Sequence, residues 1–144
     1  MDVGNYEVNV TYSGDTNYND GIGKGEFSVG KVVPDMDVNT QNITYGDNET
    51  IKFNVTDGAT GIVNVTVNGI TQSIGLIDSK ATVYVPYLLY GTYPITVKYG
   101  GDDKHLPSEN ITQHIYVNKV SVYDFNVVAS DTVVGGNSIV TVYM

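Results

Sequence analysis

Apolar and polar residues alternate one by one along most of this chain. In the segment TIKFNVT, residues 50–56, Ile51, Phe53 and Val55 fall on one side and polar residues fall on the other. A period of two is typical of a β-strand with one buried face. No stretch is as dense in Ala, Leu, Glu, Lys and Gln as long helices usually are. The alternation therefore predicts an all-β protein.

Other segments alternate in the same way, which predicts the side chains that lie inward. Asn68–Gly69 separates two of these segments, and both residues tolerate the positive φ of a tight hairpin. With an opening strand near DMDVNTQNITY, residues 35–45, the pattern predicts about seven strands. Such a series is typical of an immunoglobulin-like antiparallel β-sandwich, while a jelly roll or a barrel stays open. The remaining inward positions are Val63, Val65, Val67, Ala81, Val83, Val85, Tyr93, Ile95, Val97, Tyr99, Ile111, Ile115 and Val117.

The chain also contains an internal repeat. YSGDTNY at residues 12–18 returns as YGGDDKH at residues 99–105, a shift of 87. After one inserted residue the shift becomes 88, and it extends with less similarity to Thr50 over Ser138 and Ile51 over Ile139. The identities are Gly4 with Gly91, Tyr6 with Tyr93, Val10 with Val97, Tyr12 with Tyr99, Gly14 with Gly101, Asp15 with Asp102, Val29 with Val117, Lys31 with Lys119 and Val32 with Val120.

The repeat divides the chain into one complete unit and two partial units. Residues 1–31 correspond to the C-terminal strands of a truncated unit, residues 32–119 to a complete unit, and residues 120–144 to the N-terminal strands of another truncated unit. An isolated hairpin is marginal in water. We therefore expect the partial units to fray or to associate with another molecule, the first two strands of one chain covering the last two of its neighbour. Packing of both against the central sandwich is the other outcome.

Charge and composition narrow the partners. Seven basic and sixteen acidic residues give a formal net charge of −9, which repels phosphate backbones and anionic membrane surfaces. We expect no nucleic-acid partner. The chain has no cysteine and therefore no disulfide or thiolate metal site. No segment approaches the roughly 20 apolar residues of a membrane span, so no membrane insertion is expected, and the opening MDVGNYEVNV does not have the features of an export signal.

One segment carries a family resemblance. LLYGTYPITVKYGGDDKH, residues 88–105, together with KATVYVP, residues 80–86, resembles the Ig-like repeats of adhesin-like surface proteins of methanogenic archaea and of related bacterial Ig-like arrays. The resemblance covers the whole chain. It implies a cell-surface, extracellular location and neighbouring Ig-like repeats as partners. It also implies that Tyr93, after Gly91, is a tyrosine-corner residue whose hydroxyl bonds to nearby backbone, and that Tyr6, after Gly4, has the same role.

The aspartates of the repeated turn have two interpretations. Asp15 and Asp102 follow Gly14 and Gly101, and their side chains would cap the turn through bonds to local backbone. Alternatively, carboxylates near the strand ends would supply oxygen ligands to calcium, which is coordinated by six to eight oxygens. The calcium candidates are Asp47, Asp57, Asp102 and Asp103.

Catalytic chemistry has little support in the sequence. His105 occupies the position of Tyr18 in the other copy, and His114 that of Glu26, so neither position preserves a metal ligand or a base. No nucleophile motif and no phosphate-binding loop accompany them. We therefore expect no enzyme activity and no cofactor.

Surface asparagines and tyrosines are the remaining candidates. Asn-X-Ser/Thr sequons occur at Asn9, Asn42, Asn48, Asn54, Asn64 and Asn110, and chance in an Asn- and Thr-rich chain accounts for many of them. Asn54 and Asn64 are predicted to point outward, where a glycan would not disturb the core. Tyr84 and Tyr116, with Tyr90, would form either a platform for sugar rings or ordinary cross-strand packing.

Two functions therefore compete. The first is a structural spacer or stalk repeat of a modular extracellular adhesin-like protein, presenting other domains and contributing to cell adhesion. The second is a recognition module that binds a glycan or a partner protein through its loops or a tyrosine-bearing sheet face.

Overall fold

The computed structural model describes residues 1–121 and 126–143 of the chain. These residues form β-strands and no helices, as the alternation predicted. The strands are Gly4–Tyr12 (β1), Gly21–Val29 (β2), Met36–Asn39 (β3), Ile43–Thr44 (β4), Glu49–Val55 (β5), Ile62–Val67 (β6), Ile70–Gly75 (β7), Lys80–Val85 (β8), Gly91–Tyr99 (β9), Ser108–Asn110 (β10), His114–Asn118 (β11), Asn126–Ala129 (β12) and Val140–Tyr143 (β13).

Residues 36–118 form two sheets that enclose one hydrophobic core, a β-sandwich. The smaller sheet has the order β3-β5-β8, and the larger has the order β4-β11-β9-β6-β7, with β10 also paired to β9. Neighbouring strands are antiparallel, except that β4 runs parallel to β11. Asn68 and Gly69 have φ values of 51° and 76° and connect β6 to β7, which confirms the predicted hairpin turn.

The core is built from the inward side of the predicted alternation. Phe53 of β5 and Tyr99 of β9 are its largest fully buried side chains. The side chains of a strand alternate between its two faces. An error of one residue in the phase of a strand would therefore have placed all of its apolar side chains on the solvent face. The buried apolar residues are Val38, Ile51, Phe53, Val55, Ala59, Val63, Val65, Val67, Ala81, Val83, Val85, Leu88, Ile95, Val97, Tyr99, Ile115 and Val117.

Ile111 is the exception, because it is exposed although the alternation predicted it inward. Asn110 pairs with Val97 and His114 pairs with Pro94, so three residues on one strand lie opposite two on β9. An extra residue of this kind is a β-bulge, which interrupts the alternation. The bulge contains the residue inserted between the shifts of 87 and 88, and the prediction for Ile111 was wrong because the alternation was carried across it.

The first partial unit reproduces the pairing of the complete unit. Hairpin β1–β2, here the N-terminal hairpin, pairs Gly4 with Val29. Strands β9 and β11 pair the equivalent residues, Gly91 with Val117. The strand register therefore agrees with the repeat alignment at both shifts. In the N-terminal hairpin β2 runs without interruption, since it has no inserted residue.

The last partial unit favours an alignment that differs by one residue. Hairpin β12–β13, here the C-terminal hairpin, pairs Val127 with Val142. The smaller sheet pairs Val38 with Phe53, and both residues are 89 positions earlier. A shift of 89 on both strands satisfies this pairing, and it places Val140 over Ile51 and Val142 over Phe53. The expected shift of 88 on β13 satisfies the pairing only with a shift of 90 on β12, and it would place the polar Thr141 over Phe53. The apolar character of the valines therefore favours 89.

Neither hairpin contributes to the sandwich core. Among residues 1–121 and 126–143, the core residues lie between 38 and 117, so the described strands of both partial units do not pack into the central core. On the N-terminal hairpin Tyr6 and Phe27 stack with ring centroids 5.4 Å apart, and Val8 and Val10 are exposed.

Candidate functional site

The repeated turn of the complete unit, residues 99–107, is organised by the Asp102 carboxylate. Oδ1 of Asp102 accepts hydrogen bonds from the backbone N–H groups of Lys104 and His105, at 2.8 and 2.7 Å. The His105 ring is buried, and its Nδ1 lies 2.9 Å from the same oxygen. The expected capping of the turn is therefore present in this copy.

The second carboxylate oxygen of Asp102 connects the turn to the loop between β5 and β6. Oδ2 accepts hydrogen bonds from the N–H and the hydroxyl of Thr60, at 2.9 and 3.2 Å. Tyr99 at the end of β9 donates its hydroxyl to the carbonyl of Thr60 at 2.7 Å. Nothing in the sequence indicated Thr60, because it lies 42 residues from Asp102 and is not in the repeated segment.

These contacts determine the protonation states of Asp102 and Tyr99. The N–H group of Thr60 holds the pKa of the Asp102 carboxyl far below its usual range, and the N–H groups of Lys104 and His105 add to the effect. Burial raises the pKa of Tyr99 to about 12, and the neighbouring Asp102 carboxylate contributes. At neutral pH the carboxylate is charged and the phenol is neutral, so the phenol keeps the proton that it donates to Thr60.

The turn of the N-terminal hairpin repeats the cap. Oδ1 of Asp15 accepts from the N–H groups of Asn17 and Tyr18, at 2.8 and 2.9 Å. Oδ2 accepts from the hydroxyl of Tyr12 at 2.7 Å, which lowers the pKa of Asp15 and raises that of Tyr12. Asp15 therefore bonds to Tyr12 through the oxygen that Asp102 uses for Thr60.

The two tyrosines expected at the start of β1 and β9 bond back to the chain. The hydroxyl of Tyr93 donates to the carbonyl of Leu89 at 3.0 Å, and that of Tyr6 donates to the carbonyl of Asp2 at 2.7 Å. Each bond spans four residues, and each ring lies over the preceding glycine, Gly91 or Gly4. This is the contact that the resemblance implied.

The segment between β2 and β3 docks on the repeated turn, and we name this contact the junction. The Lys31 ammonium donates to the carbonyl of Asp102 at 2.6 Å. Val32 donates its N–H to Lys104 at 2.9 Å and accepts from the N–H of Leu106 at 2.8 Å. The identities of Lys31 and Val32 with Lys119 and Val120 were the only signal of this contact in the sequence.

The calcium candidates do not converge on one site. Asp102 is committed to the turn, and Asp103 beside it is exposed. Asp47 lies between β4 and β5, where its side chain accepts from the N–H of Thr44 at 3.2 Å. Asp57 lies in the loop after β5. Within residues 1–121 and 126–143, no three His, Asp or Glu side chains are grouped for a metal ion.

The tyrosine face predicted from the sequence is not a single surface. Tyr84 is on the outer side of β8 in the smaller sheet, and Tyr116 is on the outer side of β11 in the larger sheet. They point away from opposite sides of the sandwich, because both are out of phase with buried neighbours. Tyr90 lies near Lys119, whose Nζ is 4.7 Å from the centre of its ring.

A groove of about 540 Å³ does lie beside Tyr84, at the open side of the sandwich between the edge strands β7 and β8. Gln72 donates to the backbone carbonyl of Tyr84 at 3.1 Å and crosses this side. Tyr87 has a positive φ of 61°, and its ring is almost fully exposed. The other lining residues are Val65, Val67, Asn68, Ile70, Val85, Pro86 and Leu88.

The sequons differ in how available their side chains are. Asn54 and Asn64 are exposed, as predicted. Asn110 is half-buried at the bulge, and its Nδ2, the atom that would carry a glycan, donates to the carbonyl of Met36 at 3.3 Å. A glycan on Asn110 would therefore be attached to the nitrogen that joins the two sheets, and would leave it one hydrogen for this bond.

A buried carboxylic acid, Glu49, was not singled out in the sequence. Its Oε1 accepts from the N–H of Gln41 at 2.9 Å, and its Oε2 has no protein partner in the described residues. Burial raises the pKa of Glu49. Its position at the start of β5 holds the loop between β3 and β4 against the smaller sheet.

Comparisons with profiles of known protein families, with curated proteins and with solved structures found no match to this chain. None of the described residues belongs to a helix long and apolar enough to span a membrane.

We expect Gly101→Ala to destabilise the complete unit more than Gly58→Ala does. Both glycines have positive φ, 80° and 81°, and Ala in such a conformation costs about 1 kcal/mol. At Gly101 the added Cβ would also lie 2.8 Å from the carbonyl oxygen of His105, whereas Gly58 has open space. Denaturant titration should show a loss of at least about 2 kcal/mol in the free energy of unfolding for Gly101→Ala. Equal losses would contradict the crowded turn.

We expect Asp102→Asn to lower stability at neutral pH and to matter less in acid. The depressed pKa of Asp102 means that its carboxylate contributes stability above the unfolded-state pKa, about 3.9. That contribution is lost progressively as pH falls below this value. Denaturant unfolding at pH 7, 5, 3.5 and 2.5 measures the difference from the parent protein, with the exposed neighbour variant Asp103→Asn as control. A difference that stays constant down to pH 2.5 would refute the assignment.

Proposed function

We propose that this chain is a structural spacer, a stalk repeat of a modular extracellular adhesin-like protein that presents other domains and contributes to cell adhesion. A spacer needs adjacent units to have a defined relative orientation. The junction supports this role, because Lys31 and both backbone groups of Val32 bond to the repeated turn of the complete unit. It is the observation that carries the proposal.

An ion pair also joins the N-terminal hairpin to the repeated turn. The Lys104 ammonium in the repeated turn lies 3.2 Å from the Asp2 carboxylate at the start of the N-terminal hairpin. Both side chains are exposed, so the pair by itself contributes little stability. Together with the junction it connects both ends of the hairpin base to one turn, which limits rotation about the linker.

We further propose that the complete unit is Ig-like, with the C-terminal strand of one unit running directly into the next. Supporting this are the two sheets, the parallel pairing of β4 with β11, and the backbone bonds of Tyr93 and Tyr6. The acidic net charge of −9 supports an exposed location, since it keeps neighbouring stalks apart in solution.

A recognition module is the second candidate, and the groove beside Tyr84 favours it. Aromatic rings beside polar groups are suited to sugar rings, which have apolar faces and hydroxyl edges. Exposed Tyr84 and Tyr87 supply the rings, and Gln72 and Asn68 supply the polar groups. The ligand class that fits is an oligosaccharide.

We expect Val32→Pro to release the N-terminal hairpin from the sandwich. Proline removes the N–H that bonds to Lys104, and the net loss is about 1 kcal/mol. Heteronuclear NOE values of the amides in β1 and β2 should fall, while those of β5 and β9 stay unchanged. Val33→Pro is the control, because the amide of Val33 makes no backbone hydrogen bond in the described structure. Unchanged NOE values in Val32→Pro would refute the fixed junction.

For the second candidate we expect an oligosaccharide on a glycan array to bind the protein and to lose at least about tenfold in affinity with Tyr87→Ala, a change of about 1.4 kcal/mol. Tyr116→Ala on the opposite sheet should leave binding unchanged. An array without a bound glycan, or equal losses in both variants, would remove this candidate.

A further inference from the structure

The N-terminal hairpin exposes side chains whose equivalents form the core of the complete unit. Val8 and Val10 are 43% and 63% exposed, whereas Ile95 and Val97 at the equivalent positions are each 1% exposed. Phe27 is also exposed, and its equivalent Ile115 is fully buried. This face is therefore one side of a sandwich core that lacks the other side in the described residues.

The C-terminal hairpin exposes the complementary side. Val127 and Val142 are 53% and 55% exposed. Their equivalents at a shift of 89 are Val38 and Phe53, which are 7% and 2% exposed in the smaller sheet. The pairing of Val127 with Val142 matches that of Val38 with Phe53, so the hairpin already has the register of a core sheet.

In the complete unit, strands of these two types cover each other. Strand β5 and strands β9 and β11 contribute to one core from opposite sheets. The bond from Asn110 Nδ2 to the Met36 carbonyl also joins these two sheets. Each hairpin therefore corresponds to the sheet that would cover the apolar face of the other.

In the part of the chain that the structure describes, the strands of the two hairpins do not pack against each other. The N-terminal hairpin contacts the repeated turn after β9, whereas Lys119, which leads to the C-terminal hairpin, lies by Tyr90 before β9. Strand β9 has nine residues and spans roughly 30 Å at about 3.3 Å per residue. A sheet that covers either apolar face therefore has to come from outside the described residues.

We propose that a second copy of this chain supplies it, with the C-terminal hairpin of one copy docking on the apolar face of the N-terminal hairpin of the next. The junction specifies the geometry. Lys119 and Val120 of one copy would contact the turn around Asp15 in the next, as Lys31 and Val32 contact the turn around Asp102. Val120 would pair with Asn17 and Asn19, the equivalents of Lys104 and Leu106.

This contact joins two different surfaces, so it does not close on itself and extends head to tail. We therefore expect a ladder of masses that grows with concentration. The net charge of −9 on each copy opposes association, and added salt should strengthen it by screening. The inference uses the repeat and the exposed faces, and it does not depend on the proposed spacer role.

The test uses two aspartate variants of the full chain, each on one of the docking faces. Val10→Asp and Val142→Asp should each raise the dissociation constant by more than about tenfold, because docking would bury an unpaired charge. Thr11→Asp and Thr141→Asp are the controls, since they add the same charge on the opposite face of the same strands. Sedimentation velocity over a range of concentrations measures the masses.

Mixing the two variants is the decisive experiment. Each variant alone should be a monomer, but the intact C-terminal hairpin of Val10→Asp and the intact N-terminal hairpin of Val142→Asp should form a dimer that grows no further. Monomers of the parent chain at all concentrations would overturn the proposal. So would an equal effect of the control variants, or a mixture of the variants that stays monomeric. The junction test with Val32→Pro reports on one molecule, so its failure and that of association are distinguishable.

Discussion

The Asp102 carboxylate is the contact on which the arrangement of this molecule depends. It is nearly buried, and a buried charge is tolerated only when its oxygens are hydrogen-bonded. One oxygen satisfies this requirement inside the repeated turn and the other through Thr60, so two loops that are distant in sequence are held together. The turn formed in this way presents the carbonyls that accept Lys31 and Val32. The geometry of both loops and the position of the neighbouring hairpin therefore depend on the Asp102 side chain.

The two copies of the turn differ in a way that explains their different environments. Asp15 forms the same local cap, but it turns its second oxygen to Tyr12, whereas Tyr99 at the equivalent position of the complete unit bonds to Thr60. The local cap follows from residues two or three positions apart and forms in both copies. The contact to Thr60 requires the loop between β5 and β6, and it forms in the complete unit, where that loop is present.

Single inserted residues account for the errors in the prediction from sequence. Strand positions, the hairpin at Asn68 and the inward residues were predictable, because a period of two needs only local information. Ile111 was misplaced because the extra residue forms a bulge, and the pairing of β12 with β13 favours Val140 over Ile139 as the equivalent of Ile51. The alignment shows that a residue is inserted, but strand pairing determines which position forms the bulge. The predicted tyrosine face was not found for a related reason. Alternation shows that a side chain points outward, but it does not show which sheet its strand joins.

By itself the sequence determined the all-β architecture and the local chemistry of the repeated turn, and it predicts a division into repeat units. These follow from alternation, self-similarity and side chains that bond to backbone within a few residues. The tertiary structure decided what Asp102 holds together, that Tyr84 and Tyr116 lie on opposite sheets, and that the apolar faces of both hairpins stay exposed. Those properties depend on contacts between residues far apart in the chain, because sheet order and packing are set by burial of the whole core and not by any local pattern.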